Sequence, residues 1–166
     1  KASTIAVENN IINAISYPGA TKWNGVLLAS FGGAVDTIIK DNIISVPGSV
    51  TFESPGYSAG YNIWNDDTTA LLSIEGGSVT GADYGVWVNN YEGYSSDGND
   101  TDITIDDVTI DAEEIGVYVL DSPSNTNDSS VTATLIDNTI SSVGTGVKVQ
   151  GDDATASGDH NSINGS

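Results

Sequence analysis

The chain has 166 residues with 4 Lys, no Arg and 23 Asp plus Glu, giving a formal net charge of −19. Such a surface repels phosphate backbones and anionic lipid and has no guanidinium to clamp either, which excludes nucleic acid as a partner. Cys is absent, so disulfides hold nothing, and no run of 18 apolar residues is present, so membrane insertion through an apolar helix is not expected.

The length suits one domain, 1–166, built of a repeated unit. Lys1-Ala2-Ser3 carries no signal-peptide pattern, and a start without Met is expected of a processed or excised segment. Taken in order, one pair of segments recurs, with coils starting near residues 3, 35, 70, 101, 131 and 154. The first segment reads apolar-x-apolar-x-x-Asn-x-apolar. Its third position is Val7, Ile39, Ile74, Ile105 and Leu135, at spacings of 32, 35, 31 and 30. Three residues on stand Asn10, Asn42, Gly77, Val108 and Asn138, and two further stand Ile12, Ile44, Val79, Ile110 and Ile140. The second segment is Gly, then inward, outward and inward residues: Gly25-Val26-Leu27-Leu28, Gly60-Tyr61-Asn62-Ile63, Gly85-Val86-Trp87-Val88, Gly116-Val117-Tyr118-Val119 and Gly146-Val147-Lys148-Val149.

Alternation at period two with β-branched residues predicts short strands, and a period near 30 predicts a solenoid whose turns stack. Each coil then adds ~4.8 Å and five coils make a prism on the order of 25 Å tall. The Asn column predicts a side-chain amide ladder that satisfies buried corner backbone, interrupted at Gly77 and Val108. The Gly before each second strand predicts a bend that needs positive φ or close backbone approach.

Coil 1 carries an insertion from Asn13 to Asn24 and coil 2 one from Ser45 to Ala59, with Pro47-Gly48 and Pro55-Gly56 as turn signals; the two should lie side by side as a raised shoulder. In coils 3 to 5 the variable loops follow the second strand, at Asn89–Thr101 and Leu120–Ser130. The tail aligns Ala156–Ile163 with Ala133–Ile140 and reads as the first strand of an unfinished sixth coil. Strand edges unpaired at both ends invite a second copy, or belong to a longer solenoid; both readings stay open.

Ile105-Asp106-Asp107-Val108-Thr109-Ile110 and Leu135-Ile136-Asp137-Asn138-Thr139-Ile140 resemble coils of the right-handed parallel β-helix family, the pectin-lyase-like fold. The resemblance implies an all-β, right-handed parallel β-helix of about five coils plus an incomplete sixth, as a non-catalytic member. Because that fold hosts lyases, hydrolases, tailspikes, adhesins and structural proteins, it does not fix an activity. Leucine-rich repeats share the Asn-containing segment. However, the position three before the Ile103 column is Asp100 or Ser130, and the second segment is Val-x-Val rather than helical.

Elimination chemistry on polyuronides needs grouped cations, whereas Lys1, Lys22, Lys40 and Lys148 fall on separate coils. Asp107 and Asp137 share a column on consecutive coils, as an acid/nucleophile pair would, or as a solvated corner stripe. His160, in the same column, has neither nucleophile nor second ligand and is given no chemistry. Asp97, Asp100 and Asp102 concentrate oxygen ligands in one loop, as Ca²⁺ prefers, without EF-hand spacing. Outward Trp87 and Tyr118, with Trp64, Tyr91 and Tyr94 nearby, are expected to form a contact surface for protein or glycan. Asn99, Asn127 and Asn164 head glycosylation sequons.

The function expected from these features is a non-enzymatic extracellular or cell-surface structural subunit that stacks into a filament, sheath, surface layer or matrix fibre. A carbohydrate-binding adhesin module is the alternative, and a glycan-active hydrolase a more distant one.

Overall fold

A computed structural model describes residues 3–15, 19–30, 35–48, 50, 56–65, 70–90, 100–121 and 130–165. Among these the chain forms fifteen strands and no helix. The first coil holds β1 (Ser3–Glu8), β2 (Ile11–Asn13) and β3 (Lys22–Ser30); the second holds β4 (Val35–Lys40), β5 (Ile43–Ser45) and β6 (Tyr57–Asn65). In the third, β7 (Ala70–Glu75) precedes the long β8 (Ser78–Asn90), and in the fourth β9 (Asp100–Asp106) precedes the long β10 (Thr109–Asp121). Next come β11 (Ser130–Ile136), β12 (Thr139–Ser142) and β13 (Thr145–Gln150), and last β14 (Ala154–Asp159) and β15 (Ser162–Asn164). The two insertions end earlier than the sequence implied: β3 begins at Lys22 and β6 at Tyr57, because the third strand extends N-terminally past its Gly. Their entrances do lie together, Lys22 pairing with Tyr57.

Every pairing is parallel, so the chain is a β-solenoid. One face is a six-stranded sheet in the order β1-β4-β7-β9-β11-β14. A second face runs β2-β5-β8-β10-β12-β15, and a third runs β3-β6, then the C-terminal halves of β8 and β10, then β13. The expected inward column is continuous: Val7 pairs with Ile39, Ile39 with Ile74, Ile74 with Ile105, Ile105 with Leu135, and Leu135 with Gly158. Its middle members are fully buried, and the core between the three faces is filled by Ile39, Ile44, Ile63, Ile74, Val79, Val86, Val88, Ile105, Ile110 and Ile140. Strict alternation in β11, buried at Val131, Ala133 and Leu135 and half-buried between, is what a pleated strand with one dry face requires.

Positive φ falls in a different column from the one the Gly pattern indicated. Asn9, Asp41, Gly76, Asp107, Asp137 and His160 all adopt φ between 52° and 63°. This left-handed corner turns the first face into the second, and Asn, Asp, His and Gly are the residues that tolerate it. The ladder continues round the corner: the Asp41 N–H donates to Glu75 O (2.8 Å) and the Asp137 N–H to Asp159 O (3.1 Å). The Gly column, which lies inside the strands of the third face, answers to close approach alone. A Cβ on Gly116 would stand 2.3 Å from Ile140 Cγ2 and 2.5 Å from Gly146 O, so the Ile column of the next coil occupies the space a side chain would need.

The amide ladder forms in two pieces. Asn42 Oδ1 accepts from the Asn10 N–H (3.0 Å) and Nδ2 (2.9 Å), while Asn42 Nδ2 donates to Val7 O (2.8 Å). Asn138 repeats the pattern: its Oδ1 accepts from the Val108 N–H (2.9 Å), and its Nδ2 donates to Ile105 O (2.7 Å) and Asn161 Oδ1 (3.0 Å). Each Asn therefore reaches back to cap the preceding coil, which is why Val108 lacks an amide of its own yet has its N–H satisfied.

Candidate functional site

On the third face the outward residue of each strand pairs with the next: Leu27 with Asn62, Asn62 with Trp87, Trp87 with Tyr118, and Tyr118 with Lys148. The rings do not lie flat on the sheet. Trp87 and Tyr118 stack near-parallel, centroids 5.9 Å apart and planes 15° from each other, and Tyr84 stacks on Tyr118 at 6.1 Å and tilts against Trp87 at 5.1 Å. Tyr57 closes the group edge-on, 5.1 Å from Trp87. Lysines terminate it, Lys148 Nζ 4.7 Å over the Tyr118 ring and Lys22 Nζ 5.2 Å over the Tyr57 ring.

The structure brings together Trp87 and Tyr118, two of the residues expected to form a contact surface, and adds Tyr57 and Tyr84 to them. Tyr118 is 9% exposed and Trp87 half-buried, because rings spaced one strand apart satisfy one another. The Tyr118 hydroxyl lies 2.8 Å from Gln150 Oε1 and donates to it. Trp87 Nε1 is buried and has no hydrogen-bond partner among the described residues. Burial, then the nearby charges of Glu114 and Asp83, push the Tyr84 hydroxyl above its ordinary pKa. Tyr57 and Tyr84 escaped the sequence argument, and Lys22 and Lys148, noted there only as scattered cations, were not tied to the rings. Tyr84 sits one residue before its Gly, outside the alternating window, and Tyr57 fell inside a presumed insertion. Trp64 is half-buried in β6, in register with Ala29 and Asn89. Tyr91 and Tyr94 lie outside the described residues.

The Asp107 and Asp137 column is the left-handed corner itself, exposed, with Asp137 Oδ1 3.7 Å from His160 Nδ1. Backbone conformation accounts for these residue types without any chemistry. Of the oxygen-rich loop, Asp97 lies outside the described residues, Asp102 is exposed, and Asp100 Oδ1 accepts from the Ser130 N–H (3.2 Å) and Oγ (2.8 Å). Among the described residues no group of three or more His, Cys, Asp or Glu side chains is placed to hold a metal ion. Asn164 is exposed in β15, pairing with Ser141; Asn99 and Asn127 lie outside the described residues.

The last coil is open. A hollow of about 410 Å³ there is lined by Leu135, Val147, Ala156, Gly158, Asn161 and Ile163. At the other end of the stack Ile5 is exposed and Val7, Ile12, Val26 and Leu28 are half-buried around the core.

Among the described residues no helix is long and apolar enough to cross a membrane. No family model matches the chain, and neither a curated protein nor a solved structure matches it.

Proposed function

We propose that the chain is a non-catalytic, extracellular or cell-surface structural protein of the pectin-lyase-like type, a subunit that stacks coil on coil into a filament, sheath, surface layer or matrix fibre. The observation that carries this reading is the match between the two ends of the corner ladder. Inside the stack the corner N–H of one coil donates to the Asn Oδ1 of the next, and that Asn donates back to a carbonyl three residues before the corner Asn position. At the last coil, the Asn161 N–H continues this pattern if it donates to Asn10 Oδ1 of a second copy, whose Nδ2 then reaches Gly158 O. The same register sets Ile5 and Val7 of that copy over Ala156 and Gly158, large side chains over the hollow that small ones leave. The Asp-rich, Lys-poor, Cys-free composition supports a salt-exposed setting outside the cell.

Electron microscopy and sedimentation of the purified 166-residue chain, at low and high salt and with and without Ca²⁺, test the reading. Fibres that grow with salt are expected, since screening relieves repulsion between bodies of charge −19. Dispersed monomers under every condition would overturn it.

A glycan-binding module draws less support, because sugar stacking uses ring faces and those of Trp87 and Tyr118 are taken up by neighbouring rings and Lys148. Trp87→Ala and Tyr118→Ala would weaken glycan binding under that reading and leave it untouched under ours.

A further inference from the structure

The second and third coils are joined on the third face by more than the backbone ladder. Ser58 is 1% exposed; its N–H (2.6 Å) and Oγ (2.9 Å) donate to Asp83 Oδ2, and the Asp83 N–H donates back to Ser58 Oγ (3.0 Å). These bonds fix the residue after Tyr57 against the residue before Tyr84, and the two phenols meet edge to face, centroids 6.0 Å apart and planes 75° from each other. Both rings are half-buried, so a reagent in solution can reach them. The other described phenols are placed differently. Tyr118 is 9% exposed, its hydroxyl donates to Gln150 and its ring is stacked on that of Tyr84, while Tyr61 is fully buried.

We propose that Tyr57 and Tyr84 form a modification site, at which a one-electron oxidant, a haem peroxidase with H₂O₂, couples the two rings into a dityrosine staple between the second and third coils. The oxidant takes one electron from each phenol. The Tyr84 proton passes to the Glu114 carboxylate, which hydrogen-bonds that hydroxyl, and the Tyr57 proton passes to solvent. The two phenoxyl radicals join through one Cε of each ring, and the hydrogens on those carbons move to the oxygens as both rings regain aromaticity. The protein loses two hydrogen atoms, and H₂O₂ becomes two molecules of water. Ring pose selects this pair. In the product the rings are joined edge to edge and twisted, so two rings already 75° from each other need only a side-chain swing, whereas Tyr84 and Tyr118 would have to break their stack. Burial keeps the Tyr84 phenol protonated and its hydrogen bond to Glu114 in place. With no Cys in the sequence, such a bond does for these two coils what a disulfide does elsewhere. It lies within one chain and is independent of stacking.

The test treats the 166-residue chain with a haem peroxidase and one equivalent of H₂O₂ at a series of protein dilutions, and takes the isolated monomer to mass spectrometry, peptide mapping and thermal melting. Expected are the blue fluorescence of coupled phenols, a mass lower by two hydrogen atoms, a cross-linked peptide pair holding Tyr57 and Tyr84, and a yield unchanged by dilution. Tyr57→Phe and Tyr84→Phe should each abolish that pair and Tyr118→Phe should leave it; Phe keeps the ring packing, so the fold is preserved. Closing the chain between residues 57 and 84 should raise the Tm of the linked monomer by roughly 6–12 °C, the scale of a disulfide across a loop of that length. No link, a link mapped to other tyrosines, or one that fades on dilution would overturn the site, and a linked monomer with an unmoved Tm would overturn the staple. Because the monomer is read, a failure to form fibres sinks stacking and keeps this site, whereas fibres from a chain that cannot be linked sink the site and keep stacking.

Discussion

Asn138→Ala removes the centre of the better amide ladder. Asn138 is 1% exposed and its side chain satisfies the Val108 N–H, the Ile105 carbonyl and Asn161 Oδ1. Val108 is itself buried, so truncation strands its N–H with no water to replace the amide, while the Ile105 carbonyl keeps its place in the ladder with the adjacent strand. At about 1–3 kcal/mol for the buried orphan, with a smaller share from half-buried Asn161, the loss is about 2 kcal/mol. Set against a total of roughly 5–15 kcal/mol, that is a sizeable fraction. For a chain of this size it lowers Tm by roughly 4–8 °C. Asn10→Ala is the internal control. Asn10 is exposed and its amide reaches only Glu8 O and Asn42 Oδ1, so water takes its place and the loss stays under about 1 kcal/mol. Thermal melts followed by far-ultraviolet circular dichroism and by Trp fluorescence measure both, with coincident curves required before a single Tm is used. Equal losses at positions 10 and 138 would refute the claim that the ladder acts by sparing buried backbone.

Other substitutions probe the remaining columns. Gly116→Ala should cost about 1–3 kcal/mol by overpacking against Ile140, whereas Gly48→Ala, with nothing within 4 Å, should stay within about 0.5 kcal/mol in chemical denaturation. Asp107→Val should lose about 1–2 kcal/mol or more, because a β-branched residue resists the φ of 52°, while Asp107→Gly should be near neutral; the reverse order would remove the backbone explanation of the acidic stripe. Tyr61 is fully buried, its hydroxyl has no partner of full hydrogen-bond geometry among the described residues, and burial raises its pKa from 10.0 to about 12, with the Asn42 amide moderating the rise. The folded state thus holds the proton more tightly than the unfolded one, so stability is intact below pH 10 and falls by about 3 kcal/mol as pH climbs from about 10 to about 12. Tyr61→Phe should flatten that part of the alkaline stability profile, and an unchanged profile would count against the burial.

The inward columns were readable because a dry interior admits only apolar side chains, and stacking repeats them at a fixed interval: Val7, Ile39, Ile74, Ile105 and Leu135 announce one line. The corner was half readable. Asn at 10, 42 and 138 marked the amide ladder, but the conformational demand lay one residue earlier. There Asn9, Asp41, Gly76, Asp107, Asp137 and His160 look unrelated as chemistry and are alike only in tolerating positive φ. The aromatic group was legible at Trp87 and Tyr118 but not in its extent, because ring contacts depend on neighbours one strand away. Tyr57 and Tyr84 join it only through register across coils. No pattern within a single coil discloses that.

All the coil-to-coil backbone bonds point the same way, along the long axis, since each strand pairs only with its counterparts in adjacent turns. Tension applied to the two ends therefore loads them one turn at a time, and the molecule should pay out like thread from a spool, in steps of about 30 residues. Sideways force meets the whole bundle at once. The mechanical anisotropy of the molecule is written into the direction of its hydrogen bonds.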